Sequence, residues 1–244
     1  MLIAIGGVFK DFRATVFYNE ARNFSRMNIC GIDEAGRGCI VGPMVICGAM
    51  LEEKDLPKLD ALGVKDSKLL SPAARVRIAG ELRKFVKHQI ILVPPSQIDE
   101  YVLDGSGAKN LNWLEAEKSV ELISMLSPNK AIVDCPSPNI KAYEDYMRER
   151  LLNKKVEIRA EHKADHKYKI VGAASILAKV ARDMEIERIK LQVGEDFGSG
   201  YLTDPKTQSF LKSKWNVHAG VFRHSWSPYQ ELAGLKRQKR IGDF

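Results

Sequence analysis

Apolar runs of two kinds alternate along the chain, and their order sets the expected architecture. Asn28–Glu34 is a short apolar run of strand type, and Ile40–Leu51 is a longer one rich in Val, Ile and Met. A tight, glycine-containing link joins them, so they read as antiparallel neighbours. Glu52–Leu70 is charged and reads as a loop. Ser71 before Pro72 is an N-cap followed by proline at the first helical position, predicting a helix to about Val86. His88–Val93 predicts a strand that stops at Pro94-Pro95. In Asn110–Leu126 the apolar positions Leu111, Leu114, Val120, Leu122 and Ile123 recur near helical spacing. A strand over Lys130–Asp134, a helix over Asn139–Leu152 and a strand over Lys155–Ala160 follow. Gly172–Leu191 predicts a long helix with Ile176, Val180 and Met184 as its apolar stripe. From about Gly198 the chain is turn-rich and helical in places.

Two strands first, then strands alternating with helices, indicate an α/β fold: a mixed sheet flanked by helices. The chain's 244 residues fit one large domain or one domain with a small appendage. The organisation expected is an N-terminal extension over 1–26, a main domain over 27–197 and a small, mostly helical, basic C-terminal appendage over 198–244. Met1–Phe9 is apolar, but no positive region precedes it and no small-residue cleavage site follows, so a signal peptide is not expected. No apolar run reaches the length of a membrane span.

Charge and cysteine usage narrow the class. The formal net charge is +7, and from Pro205 to Phe244 eight Lys and Arg face only Glu231 and Asp243. A basic C-terminal region suits a polyanionic partner. Cys30, Cys39, Cys47 and Cys135 form no C-x-x-C pair and sit mainly in apolar context, which predicts reduced, buried thiols in a cytoplasmic protein.

The candidate chemistry begins at Gly31-Ile32-Asp33-Glu34-Ala35-Gly36-Arg37-Gly38. Two adjacent carboxylates can hold a hard cation, while the arginine and the turn's N–H groups can touch a phosphate backbone. Side chains alternate faces along a strand, so the pair can share a site only if the strand ends or twists sharply there. Gly36 and Gly38 are expected to provide that break. Asp134 ends another predicted strand, and Asp165 follows the next in His162-Lys163-Ala164-Asp165-His166. Sites in open α/β sheets lie at the carboxyl ends of strands, so four acids are expected to meet there. Crowded carboxylates need cations, and Mg²⁺ or Mn²⁺ suits them; two such ions can drive an in-line phosphoryl displacement. His162 and His166 have i, i+4 spacing but lack the partners of a zinc site.

These residues resemble the signature of the type 2 ribonucleases H. The octapeptide with Gly42-Pro43-Met44 is followed, in the family's order, by Asp66-Ser67-Lys68, Asp134 and His162-Lys163-Ala164-Asp165. Ala173-Ala174-Ser175-Ile176-Leu177-Ala178-Lys179-Val180-Ala181-Arg182-Asp183 and Gly198-Ser199-Gly200-Tyr201 with Asp204-Pro205 complete the set. The resemblance spans about Met27 to Trp226, and Arg223-His224-Ser225-Trp226 looks like the archaeal and eukaryotic branch. It implies a ribonuclease H-like fold, with Asp33, Glu34, Asp134 and Asp165 as metal-binding catalytic acids for two Mg²⁺ or Mn²⁺ ions. It further implies that Gly36, Arg37 and Gly38 read the ribonucleotide and that Tyr201 stacks on the next sugar. Lys68, Ser175 and Lys179 would hold phosphates.

The implied activity is cleavage of the RNA strand of RNA–DNA hybrids and 5′ of single ribonucleotides in duplex DNA. The ends left would be 3′-hydroxyl and 5′-phosphate, and the roles DNA replication and ribonucleotide excision repair by a monomer. Three residues depart from the family's habit: Cys39 and Lys169 stand where proline is common, and Leu69 where a second lysine is frequent. Gln238, Ile241 and Phe244 form Q-x-x-I-x-x-F, which resembles the peptide that docks on the sliding clamp. The rivals are a non-catalytic nucleic-acid-binding subunit, against which four intact acids argue, and a type 3 ribonuclease H, for whose extra N-terminal domain 26 residues are too few.

Overall fold

The computed structural model describes residues 27–64 and 70–234. The extension over 1–26, Lys68 and the tail residues Gln238, Ile241 and Phe244 lie outside them. In chain order the elements are β1 (Asn28–Ala35), β2 (Met44–Glu52), α1 (Pro57–Ala61), α2 (Pro72–Leu82), β3 (Lys87–Val93), α3 (Pro95–Val102), α4 (Leu111–Leu126), β4 (Lys130–Asp134), α5 (Ile140–Arg150), β5 (Glu157–Glu161), α6 (Ala164–Lys167), α7 (Lys169–Val193), α8 (Pro205–Lys214) and α9 (Ser227–Leu232). The strands form one mixed sheet in the order β3-β2-β1-β4-β5. β1 is antiparallel to β2 and parallel to β4. This agrees with the α/β expectation.

Alternation along β1 and β2 feeds two separate cores. Ile29, Val45, Cys47, Ala49 and Leu51 pack under α2 and the first half of α7. Cys30, Ile32, Met44, Ile46 and Met50 pack under α4 and α5. The α7 face is unusually close. A Cβ on Gly31 would lie 2.4 Å from the Ile170 carbonyl carbon and 2.5 Å from the Val171 nitrogen, so only glycine lets the helix cross β1 there. From Ile170 to Ala178 every residue of α7 is buried, the pattern of a helix enclosed on all sides. A third core joins Phe197, Phe210, Phe222 and Tyr229 to Ile40, Val41, Ile186 and Ile189, seating the C-terminal helices on the second half of α7.

Several boundaries differ from expectation for identifiable reasons. The second strand begins at Met44, because Ile40–Gly42 hydrogen-bond to the C-terminal segment: Ile40 N–H donates to Gly200 O and Gly42 N–H to Val221 O. Pro94-Pro95 stops β3 but also starts α3, with Pro95 at the first helical position. Ser71 caps α2 as expected, accepting from Ala74 N–H. Met184 is 62 % exposed and lies outside the stripe assigned to it; Ile176 and Val180 are buried. All four cysteines are free and buried. No helix among the described residues is long and apolar enough to cross a membrane.

Candidate active site

The site lies where β1 and β4 part. Their pairing ends at Ile32↔Val133, while β1 stays paired to β2 through Ala35↔Val45. β1 ends at Ala35 and Gly36 turns the chain with φ +80°, so the break falls directly after the pair, at the glycines expected to supply it. The two carboxyl groups meet beside the opened edge, where a side-chain hydrogen bond with Asp33 acts on Glu34. Asp33 turns to the α7 face, where Ser175 hydrogen-bonds it. Glu34 turns to the α4 face, where Glu115 stands. One Asp33 carboxylate oxygen, Oδ1, accepts the Glu34 N–H at 2.8 Å.

Asp134, at the end of β4, is the third acid of the group, and its charge acts on both Asp33 and Glu34. Its Oδ1 accepts the Ala164 N–H at 2.7 Å, and the His162 ring Nδ1 lies 2.9 Å from Cys135 O. Those two contacts pin the loop after β5 to the end of β4, which places Asp165 one residue from a group bonded to Asp134. Asp165 Oδ1 accepts the His166 N–H at 3.0 Å. Lys163 takes the left-handed conformation at the head of α6, turning the chain sharply there.

Burial and like charge raise the acids' affinity for protons. Burial first, then the Glu34 charge, raise the Asp33 carboxyl well above its usual range. Burial, Glu115 and Asp134 push Glu34 up to about 8. Glu115 itself is raised to about 7 by burial, against the opposing pull of Arg37. Such a group binds either protons or cations. The donors are all oxygen, which suits a hard divalent ion. Among the described residues no three Asp, Glu, His or Cys side chains converge as a ready-made cage.

The glycine turn follows directly. Gly36 has φ +80° and a Cβ there would meet Pro43 O at 3.0 Å, so the fold requires glycine. At Gly38, by contrast, a Cβ would meet nothing within 4 Å and φ is not positive, so the protein's own packing makes no such demand. Arg37 does not reach outward. Its Nε donates to Glu115 Oε1 at 2.7 Å and Nη2 to Asn112 Oδ1 at 2.8 Å. Tyr201 lies under the same turn: its hydroxyl bonds Cys39, burial raises it to about 12, and the Arg182 guanidinium sits 4.8 Å from its ring centroid. Lys179 is half-buried one helical turn beyond Ser175.

Glu115, Asn112 and Arg223 were not singled out as site residues by the sequence. Glu115 sits between Leu114 and Ala116 in an amphipathic helix, where an acid normally faces water; only its pairing with Arg37 marks it. Arg223 stands in a basic stretch, yet it is fully buried beneath the turn.

Comparison with known proteins assigns the family. A family model described as Ribonuclease HII matches residues 30–228. A ribonuclease HII of Methanocella arvoryzae is 41% identical over 219 residues, which covers 88% of this chain and 96% of the relative. The crystal structure of ribonuclease H2 from Pyrococcus horikoshii OT3 superposes with a TM-score of 0.77 at 38% identity, covering 86% of this chain and 98% of that one. The ribonuclease HII in a complex with PCNA from Archaeoglobus fulgidus superposes with a TM-score of 0.73 at 39% identity, covering 89% and 100%. A Bst-RNase HIII in complex with Mn²⁺ matches at 22% identity and TM-score 0.69, a likeness of fold alone. The chain therefore belongs to the ribonuclease HII family, the metal-dependent ribonuclease H endonucleases that cut the RNA strand of RNA–DNA hybrids.

Proposed function

We propose that the chain also cuts on the 5′ side of single ribonucleotides embedded in duplex DNA, leaving 3′-hydroxyl and 5′-phosphate ends, with Asp33, Glu34, Asp134 and Asp165 holding two Mg²⁺ or Mn²⁺ ions. The observation that carries this is the meeting of Asp33, Glu34 and Asp134 charges beside a turn whose Gly38 is open to approach. When bound, the ions supply an activated water and offset charge on the scissile phosphate. The protein's own part is positioning. Ser175 orients Asp33, and Glu115 with Asn112 anchors Arg37 so that the turn keeps its shape. The turn's backbone groups then bond the 2′-hydroxyl, which distinguishes RNA from DNA. Tyr201 stacks on the following sugar, while Lys68, Ser175 and Lys179 hold flanking phosphates.

The cleavage assay uses duplex DNA carrying one ribonucleotide, with Mg²⁺ or Mn²⁺, and maps the ends. A nick 5′ of the ribonucleotide with a 3′-hydroxyl is expected. Cleavage of long hybrids only, or cyclic phosphate ends, would refute the proposal. Such an enzyme serves replication and ribonucleotide excision repair in the cytoplasm as a monomer. Docking of Gln238, Ile241 and Phe244 on a sliding clamp is supported by the complex with PCNA formed by the Archaeoglobus fulgidus relative. Phe244→Ala is expected to abolish capture by the clamp, and equal capture would reject the docking.

A further inference from the structure

Arg223 is the largest fully buried side chain among the described residues, and it is charged. Its fork donates to three carbonyls of the turn region: Nη2 to Gly36 O at 2.6 Å, Nη1 to Arg37 O at 2.6 Å and Nε to Gly42 O at 3.2 Å. The acceptors are neutral, so no salt bridge explains the burial. Desolvating a guanidinium is unfavourable, and burial lowers its pKa to about 10, still charged at neutral pH. The Trp226 ring stands 4.9 Å from its central carbon.

The hydrogen bonds fix more than the carbonyls. A trans peptide is planar, with its C=O and N–H pointing opposite ways. Drawing the Gly36 and Arg37 carbonyls down onto Arg223 turns the N–H groups of Arg37 and Gly38 up, away from the core. Among the described residues neither N–H has a protein acceptor. Two donors are thus left for a ligand at a turn where Gly38 has open space beside its Cα.

Arg223 is itself held from two sides. Its N–H donates to Ile40 O, and its neighbour Phe222 bridges Val41. On the other side Asp99 of α3 accepts from His224 N–H at 2.9 Å, Ser225 N–H at 2.8 Å and the Ser225 hydroxyl at 2.6 Å.

We infer that Arg223 is the positioning residue for ribonucleotide discrimination: it holds the peptide planes of the turn so that the Arg37 and Gly38 N–H groups meet the 2′-hydroxyl. The inference rests on the proposal that this turn reads the ribonucleotide. The test measures binding in EDTA, where no cleavage occurs, to two duplexes that differ only by one 2′-hydroxyl. The wild-type protein is expected to prefer the ribonucleotide duplex. Arg223→Lys keeps a charge but not the fork, and is expected to bind that duplex about tenfold more weakly while its all-DNA affinity stays, erasing the preference. Asp99→Asn places an NH₂ where His224 N–H needs an acceptor; it should shift the preference the same way by a smaller factor, and it decides the matter if Arg223→Lys does not fold. A preference kept by a folded variant, or affinities that fall in parallel for both duplexes, would overturn the role of Arg223. A wild-type protein that binds both duplexes equally would instead refute the reading of the turn itself.

Discussion

The acids and the turn occupy adjacent space but are built in opposite ways. Asp33, Glu34 and Asp134 stand at the ends of two neighbouring strands whose registers fix them. The turn has no such frame of its own. It is shaped by Arg223, by Gly200 and by Glu115 with Asn112, all far away in sequence. The acids proposed to hydrolyse are therefore carried by the sheet, and the turn proposed to discriminate by contacts among three distant segments. Damage to the first should remove chemistry and leave recognition. Damage to the second should blur recognition and leave chemistry in place.

The largest expected effect breaks the first half of that contrast. Asp33→Asn removes the carboxylate that Ser175 hydrogen-bonds while keeping the side chain's size. Cleavage should fall about a thousandfold or more, equivalent to about 4 kcal/mol of transition-state stabilisation. Binding of the hybrid in EDTA should persist, since the turn is untouched. A single-turnover rate near wild type would remove Asp33 from the reaction.

A smaller effect is expected where the two regions touch. Glu115 is buried, bonds Arg37 and lies close enough to Glu34 to raise its proton affinity. Glu115→Gln keeps a hydrogen-bond acceptor for Arg37 but loses the charge. Arg37 is 39% exposed, so solvent screens the pair and the loss is well below that of a fully buried one. We expect kcat/KM on the single-ribonucleotide duplex to fall about tenfold, mainly through KM. A pure kcat loss would place Glu115 among the groups serving the reaction rather than the turn.

The sequence exposed the two regions unequally, for the same structural reason. Asp33, Glu34, Asp134 and Asp165 follow apolar strand patterns, so short-range periodicity locates them. β4 was legible for that reason too, whereas α7 begins at Lys169, ahead of the expected Gly172. Arg223 lay in a basic C-terminal stretch whose charge suited a polyanion, and nothing local separates a buried arginine from a solvated one. Glu115 carried the same ambiguity within an amphipathic helix. Gly31 was part of a motif, but its packing role appears only once Ile170 lies against it. Lys169 replaces a common proline at the head of α7, yet it bonds Val64 O and reaches Asp60, tying α7 to the segment after α1. These contacts join residues far apart in the chain, so local pattern does not reveal them.

The mildest prediction concerns stability rather than activity. Glu34 rises to about 8 and Glu115 to about 7, from a model-peptide value near 4.5. Groups whose proton affinity is higher in the folded state stabilise it fully below about pH 4.5, and that contribution disappears as pH climbs through the folded values. Metal-free protein should therefore lose on the order of 2 kcal/mol between about pH 5.5 and 8.5, discounted because Glu34 is partly exposed at the crevice. For a chain of this size that lowers Tm by about 4–8 °C. The lower limit stays clear of the acid range in which ion-paired surface carboxylates such as Glu161 take up protons. Mn²⁺ should reverse the loss, raising Tm more at pH 8.5 than at 5.5, because the ion competes with protons for the same oxygens. Arg223→Lys should keep this metal response while Asp33→Asn weakens it, separating the sheet-borne acids from the turn by melting curves alone. A metal-free Tm that is flat or rises across the window would mean that the acids do not repel one another as their placement requires.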